Sequence, residues 1–254
     1  MILILGGTTE AMALARLIAR RGEVSARLSL AGRTQEPVLP PVPARIGGFG
    51  GVEGLSRYLA ETETTAVIDA THPFAARIKA NAAVACAQTR TPLLALGRPA
   101  WAREPGDIWT EVTDADAAAE ALGETPRRVF LTAGRLEVPA FLPHPQHHYL
   151  IRTIDPPEAL PPQATLILDR GPFDSEAEIR LMQRERIDSL VTKNSGGAAT
   201  YGKIIAARHL GLPVILITRP KTPDGVAFTD SIEEAYAFAL RHGGYSAPGT
   251  ERGV

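Results

Sequence analysis

The chain opens on five apolar residues, Met1-Ile2-Leu3-Ile4-Leu5, and passes at once into Gly6-Gly7-Thr8-Thr9-Glu10. From Ala11 the period changes: Ala11, Leu14, Ala15, Leu17 and Ile18 recur at near-helical spacing as far as Arg20-Arg21-Gly22. A buried strand, a glycine turn and a helix are predicted in that order. The alternation continues, with strands predicted at 24–30, 44–46, 65–70, 93–96 and 108–112 and helices at 52–60, 73–89 and 114–122. The strand at 65–70 is apolar through its middle, Ala66-Val67-Ile68, as expected of a parallel strand covered on both faces. After a break at 123–127 the pattern restarts. Strands are predicted at 128–132, 148–154, 165–168, 187–191 and 214–217. Helices are predicted at 175–186, from the glycines at 196 and 197 to 210, and at 231–241. This is the signature of an α/β protein built as two Rossmann-like lobes with parallel sheets and a cleft between them. The lobes are expected at 1–125 and 126–242, with 243–254 a loose tail rich in Gly, Pro and Ser.

A strand running through glycines into a helix presents free N–H groups and a positive helix end at one point, which suits phosphate oxygens. The fingerprint G-x-G-x-x-G/A is imperfect here: aligned on Gly6 it reads Gly6, Thr8, Ala11. Gly7 still allows a tight approach, and the Thr8 hydroxyl is a candidate phosphate donor. The competing reading is a plain strand-to-helix turn. A second segment, Ala31-Gly32-Arg33, follows the second strand, where NAD enzymes carry an acid for the ribose. An arginine there suits a 2′-phosphate and so NADP, unless it is simply exposed.

The third segment, Asp69-Ala70-Thr71-His72-Pro73-Phe74, ends the strand expected to lie across the switch point from the first. Asp69, Thr71 and His72 there either serve the nicotinamide or substrate, or cap the next helix. In the second lobe Lys193-Asn194-Ser195-Gly196-Gly197 follows a strand and precedes a helix, and suits an anion.

Other patterns carry less. Gly197, Gly202 and Lys203 have Walker A spacing, but Ile204 stands where a Ser or Thr is needed. Tyr201 and Lys203 are too close for a Tyr-x-x-x-Lys pair. His144, His147 and His148 sit among prolines and read as a solvated loop rather than a metal site.

Composition narrows the classes. The chain has 254 residues, 44% hydrophobic and 22% charged, with a net charge of −1. That excludes a strongly basic nucleic-acid binder. Cys86, alone of its kind, rules out an internal disulfide and reads as core. No apolar run approaches a membrane span. A cytoplasmic protein with no nucleic-acid or membrane partner, no metal and a monomeric state is expected.

Taken together, the Gly6–Glu10 opening, Ala31-Gly32-Arg33, the Asp69-to-Ala75 block, and residues 193–197 with Thr200 and Lys203 resemble the precorrin-6A reductase family, in order and spacing from residue 1 to about 242. The resemblance implies an enzyme of cobalamin biosynthesis. It would use NADPH to reduce one double bond of the macrocycle precorrin-6A to precorrin-6B, with hydride delivery to one ring carbon and protonation of its neighbour. Members acting on the cobalt-containing analogue with NADH are the alternative, and Arg33 favours NADPH. On this basis His72, Lys193 and Asp69 are the expected catalytic residues, with His72, Lys193 or water as proton donor. The expected cofactor contacts are Gly6, Gly7, Thr8, Thr9, Glu10, Gly32, Arg33, Thr71, Asn194, Ser195 and Gly196. The substrate carries many carboxylates, so local cations are needed. Arg98, Arg135, Arg170, Lys193, Lys203 and Arg219 are the candidates. A phosphotransferase using residues 197–203, or a non-catalytic NADP sensor, are the other classes considered.

Overall fold

The structure, a computed structural model, describes residues 1–32 and 40–243. Its first strand, β1 (Ile2–Leu5), is at most 2% exposed at any position. Ile2 and Ile4 join one apolar cluster and Leu3 and Leu5 another, on opposite faces. A strand covered on both sides must be central, which explains its unbroken apolar run.

The chain continues through α1 (Thr9–Arg21), β2 (Ala26–Leu30), β3 (Ala44–Ile46), α2 (Gly51–Glu61), β4 (Ala66–Asp69), α3 (Ala76–Thr89) and β5 (Leu93–Leu96). It then runs through β6 (Ile108–Val112), α4 (Ala115–Glu120), β7 (Arg128–Thr132), a single 3-10 turn at Val138–Phe141, β8 (His148–Thr153) and β9 (Ala164–Leu168). Next come α5 (Ser175–Arg184), β10 (Ser189–Lys193), α6 (Gly202–Leu210), β11 (Pro213–Ile217), β12 (Ala227–Thr229) and α7 (Ile232–His242).

Two compact units result: Met1–Arg98 with Lys221–Val254, and Pro99–Pro220. The first holds a six-stranded sheet in the order β12-β5-β4-β1-β2-β3, the second a six-stranded sheet in the order β6-β11-β10-β7-β8-β9. Every pairing in both is parallel. Numbered within its own unit, the first sheet has the doubly wound 3-2-1-4-5-6 order, while the second reads 4-3-2-5-6-1: its edge strand β6 occupies the sixth place but comes first in the chain.

The boundary expected near residue 126 is corrected. β6 and α4 belong to the second unit, because Ile108 through Val112 register against Pro213 through Ile217. β12, which the apolar pattern did not predict, returns to the first unit and pairs with β5. Alternating periodicity identifies strands but not the sheet each one joins.

Helix ends follow local chemistry. Thr8 caps α1 by accepting from Ala11 N, and Gly22 ends it at φ 68°. The buried face of α1, at Ala11, Leu14, Ala15 and Ile18, packs with Ala235, Tyr236 and Ala239 of α7 in the cluster around Ile2 and Ile4. Full burial of a leucine such as Leu14 contributes about 1.5–3 kcal/mol. In α7 the Ser231 side chain accepts from Glu234 N, and Thr229 donates to the Glu234 carboxylate.

Candidate functional site in each unit

In the first unit the switch point lies between the carboxyl ends of β1 and β4. Ala70 N donates to Leu5 O, and Gly6 N to Ser29 O, so the three strand ends are held together. Thr8 then ties the turn down: its hydroxyl donates to Ala70 O at 2.7 Å and accepts from Ala11 N at 3.2 Å. The Thr8 proton, expected on a phosphate, is committed to this bond, which leaves its backbone N–H for a ligand.

The two glycines differ. A Cβ on Gly6 would meet Leu28 Cδ1 at 2.9 Å, so Gly6 is required by packing against β2. Gly7 has φ 120° and, among the described residues, nothing within 4 Å of its Cβ position. Its backbone is open to a close approach. Thr9 donates to Glu10 Oε2 at 3.1 Å, and Arg98 pairs with the same oxygen at 2.8 Å. Burial pushes the Glu10 carboxyl up, but its own backbone N–H and Arg98 outweigh this and hold it below the ordinary carboxylate value. Arg98, expected near a substrate anion, thus compensates a carboxylate in the first turn of α1. Gly32 ends β2's turn at φ 73°. Arg33 lies outside the described residues.

At the end of β4, Asp69 is 4% exposed. Its Oδ1 accepts from Thr71 N at 3.0 Å and from the Thr71 hydroxyl at 2.6 Å, and its Oδ2 pairs with Lys79 at 3.1 Å. Neither Asp69 nor Thr71 caps α3, whose N-cap is Ala75 without a side-chain bond. The helix begins after the predicted Pro73 start because Asp69 holds the chain in a turn. His72 Nδ1 accepts from Phe74 N at 3.3 Å, which assigns the proton of the neutral ring to Nε2.

In the second unit Lys193 is the last residue of β10, beside β7 and therefore at that sheet's switch point. Its ammonium pairs with Glu137 Oε1 at 2.5 Å, over the turn that follows β7. Asn194 is buried and pairs with the Trp101 backbone both ways: Trp101 N donates to Oδ1 at 2.7 Å and Nδ2 donates to Trp101 O at 3.0 Å. The Trp101 indole donates to Gly197 O at 2.8 Å. Arg219 donates to the carbonyls of Asn194 (2.8 Å), Ser195 (2.9 Å) and Pro99 (3.1 Å). Ser195 N donates to Lys193 O at 2.8 Å. Gly196 has φ 67°, and a Cβ there would collide with the Pro99 carbonyl and the Arg219 guanidinium. The side chain of Asn194 and the missing side chain of Gly196 therefore shape the loop.

Two further expectations change. Lys203 is not a surface cation: it is 5% exposed, and burial followed by the nearby Arg152 lowers its ammonium to about 7, with Glu178 opposing. Arg152 and Glu178 form a buried two-pronged pair at 2.6 and 2.8 Å beside it. His147 is fully buried and not solvated, and neither ring nitrogen has a hydrogen-bond partner among the described residues. Burial pushes its pKa down. The patterning missed Lys79, Glu137 and Trp101 as partners. Lys79 alone left a signal, a cation in the first turns of the helix after Asp69.

These sheets and strand-end turns define a doubly wound, Rossmann-type α/β protein with two parallel six-stranded sheets. The chain belongs to the family described as precorrin-6x reductase CbiJ/CobK, whose sequence model matches residues 1–239, and is an oxidoreductase of that family. It is 52% identical over 224 residues to a protein of Rhodobacter capsulatus named precorrin-6A reductase, covering 87% of this chain and 89% of that one. A cobalt-precorrin-6A reductase of Priestia megaterium is 30% identical over 250 residues, covering 93% and 97%. A solved structure titled CobK precorrin-6A reductase superposes with a TM-score of 0.89 at 48% identity, covering 100% of this chain and 99% of that one. Among the described residues no helix is long and apolar enough to cross a membrane.

Proposed function

We propose that this chain reduces one double bond of precorrin-6A, a polycarboxylate tetrapyrrole of cobalamin biosynthesis, to give precorrin-6B, with NADPH as reductant. Identity to the relative named for precorrin-6A far exceeds identity to the one named for the cobalt form. NADH-dependent reduction of the cobalt-containing macrocycle is therefore the second reading. The observation that carries the proposal is the open Gly7 backbone at the end of β1, next to the Asp69-anchored turn at the end of β4.

The residues present fit a dinucleotide. Backbone at Gly6, Gly7, Thr8, Thr9 and Glu10 takes the pyrophosphate at the N-terminus of α1. Gly32 and Arg33 take the 2′-phosphate side, where no acid stands at the end of β2. The turn at Thr71 takes the nicotinamide side. Bound NADPH supplies a hydride. Asp69 acts as a positioning residue: with Lys79 it fixes Thr71 and so aims His72. His72 directs Nε2 at the site, donating a hydrogen bond as the neutral ring and a proton as the imidazolium, and Lys193 offers a cation to a substrate carboxylate or a second proton source. Asn194, Ser195 and Gly196 hold the backbone that carries Lys193.

The test is anaerobic mixing of the purified protein with NADPH and precorrin-6A, followed by absorbance. Loss of NADPH matched one for one by precorrin-6B supports the reading. No NADPH loss with precorrin-6A, but turnover of the cobalt form, would transfer it to the second reading.

A further inference from the structure

The buried cluster at the first turn of α6 holds two cations and one acid. Arg152, from β8, and Glu178, from α5, use each other fully: both terminal nitrogens of the guanidinium donate to the carboxylate, at 2.6 and 2.8 Å. The guanidinium also lies 3.5 Å from the Phe173 ring centroid and 4.9 Å from that of Phe130. Lys203, from α6, is the second cation, and the pair leaves it no acid. Among the described residues its ammonium makes no hydrogen bond and no ion pair, and it faces the Trp101 ring, with Nζ 5.6 Å from the centroid. Arg152 and Glu178 are the charged groups that act on it, from β8 and α5, and Trp101, from the segment before β6, adds no charge. A buried ammonium without a counter-ion costs stability.

The surroundings hold this cation in place. A Cβ on Gly202 would stand 2.6 Å from Phe173 O, and Phe173 N donates to Ala199 O at 3.0 Å, so the start of α6 is packed on the 173–175 backbone. Lys203 lies in the first turn of α6, after the loop that follows β10, at the edge of the sheet where open α/β folds bind ligands. The positive end of the α6 dipole adds to its charge. The residue is buried but not sealed, and its four-carbon stem lets the ammonium turn outward. A carboxylate is the partner that suits it. One more negative charge sets two acids against two cations, and the ammonium has three protons to give its oxygens.

We propose that Lys203 is the seat of one carboxylate of the macrocyclic substrate, an anion that completes the cluster of Arg152 and Glu178. This rests on the precorrin-6A reading above. The test follows protons as well as affinity. Precorrin-6A is bound anaerobically to the wild-type protein and to Lys203→Met, each saturated with NADP⁺ so that no turnover occurs. Calorimetry is run in two buffers of different ionisation enthalpy at a pH of about 8, where the free lysine, with a pKa of about 7, is mostly neutral. A carboxylate beside it restores the charge, so the wild type should take up about one proton per macrocycle. Lys203→Met should lose that uptake and bind precorrin-6A about tenfold or more weakly. In turnover with NADPH it should show a raised KM, a nearly unchanged kcat and an unchanged affinity for NADPH. Equal proton uptake by both proteins, or a fall in kcat at unchanged KM, would overturn the seat. Wild-type binding without proton uptake would overturn it too, however the variant behaves. Failure of the wild type to bind precorrin-6A at all would instead sink the substrate reading, and the seat with it.

Discussion

The Thr8 hydroxyl donates to the Ala70 carbonyl at 2.7 Å and so fastens the turn after β1 to the end of β4. One side chain caps α1 and closes the switch point. Thr8→Val keeps the shape but removes both bonds. The loss should cost about 1–2 kcal/mol of stability, the usual range for a helix cap. It should also weaken NADPH, because the glycine turn loses its anchor. Urea unfolding and an NADPH titration check this; an unchanged midpoint and affinity would remove Thr8 from both roles.

Arg33 follows a β2 end without an acid, and its charge is the sequence's argument for NADPH. Arg33→Ala should weaken NADPH by about 1.5–3 kcal/mol, the range for a hydrogen bond to a charged group, and leave NADH nearly untouched. Parallel dissociation constants for both cofactors test it, and equal losses would contradict the assignment.

Asn194 supplies both partners of the buried Trp101 backbone. Asn194→Ala would strand a donor and an acceptor, each costing about 1–3 kcal/mol. We expect a lower unfolding midpoint together with a raised KM for precorrin-6A, because the loop behind Lys193 loosens. A variant as stable as the parent would show that the pair carries no energy.

Lys203 gives a pH prediction. Its folded pKa, about 7, lies below its ordinary value of 10.5. Between those values the unfolded chain binds the extra proton, so stability rises with pH across that window. At neutral pH the lysine is a liability, and Lys203→Met should stabilise by about 1–4 kcal/mol, as replacement of buried charge by apolar volume often does. The gain should shrink as the pH approaches about 10. Urea midpoints for both proteins at neutral and alkaline pH decide it; destabilisation by Lys203→Met would mean the ammonium has an attractive role in the cluster.

What could be read from the sequence follows from locality. The strand, glycines and helix at residues 2–21 are contiguous, so period and turn chemistry predict them. The polar segments at 69–74 and 193–197 were visible as polar residues at strand ends. The functions of their side chains were not. Asn194 is satisfied by Trp101, 93 positions earlier in the chain. Gly6 is a glycine because of Leu28, on another strand. The membership of β6 and β12 depends on pairing across most of the chain, which no window of residues contains. The interior position of Lys203 was hidden for the same reason: its neighbours Arg152 and Glu178 come from β8 and α5.

The most direct measurement is steady-state turnover of the purified protein with four combinations: precorrin-6A or cobalt-precorrin-6A, each with NADPH or NADH. The account predicts the highest kcat/KM for precorrin-6A with NADPH, and a lower value on changing either partner. Equal or better turnover of the cobalt form with NADH would contradict it.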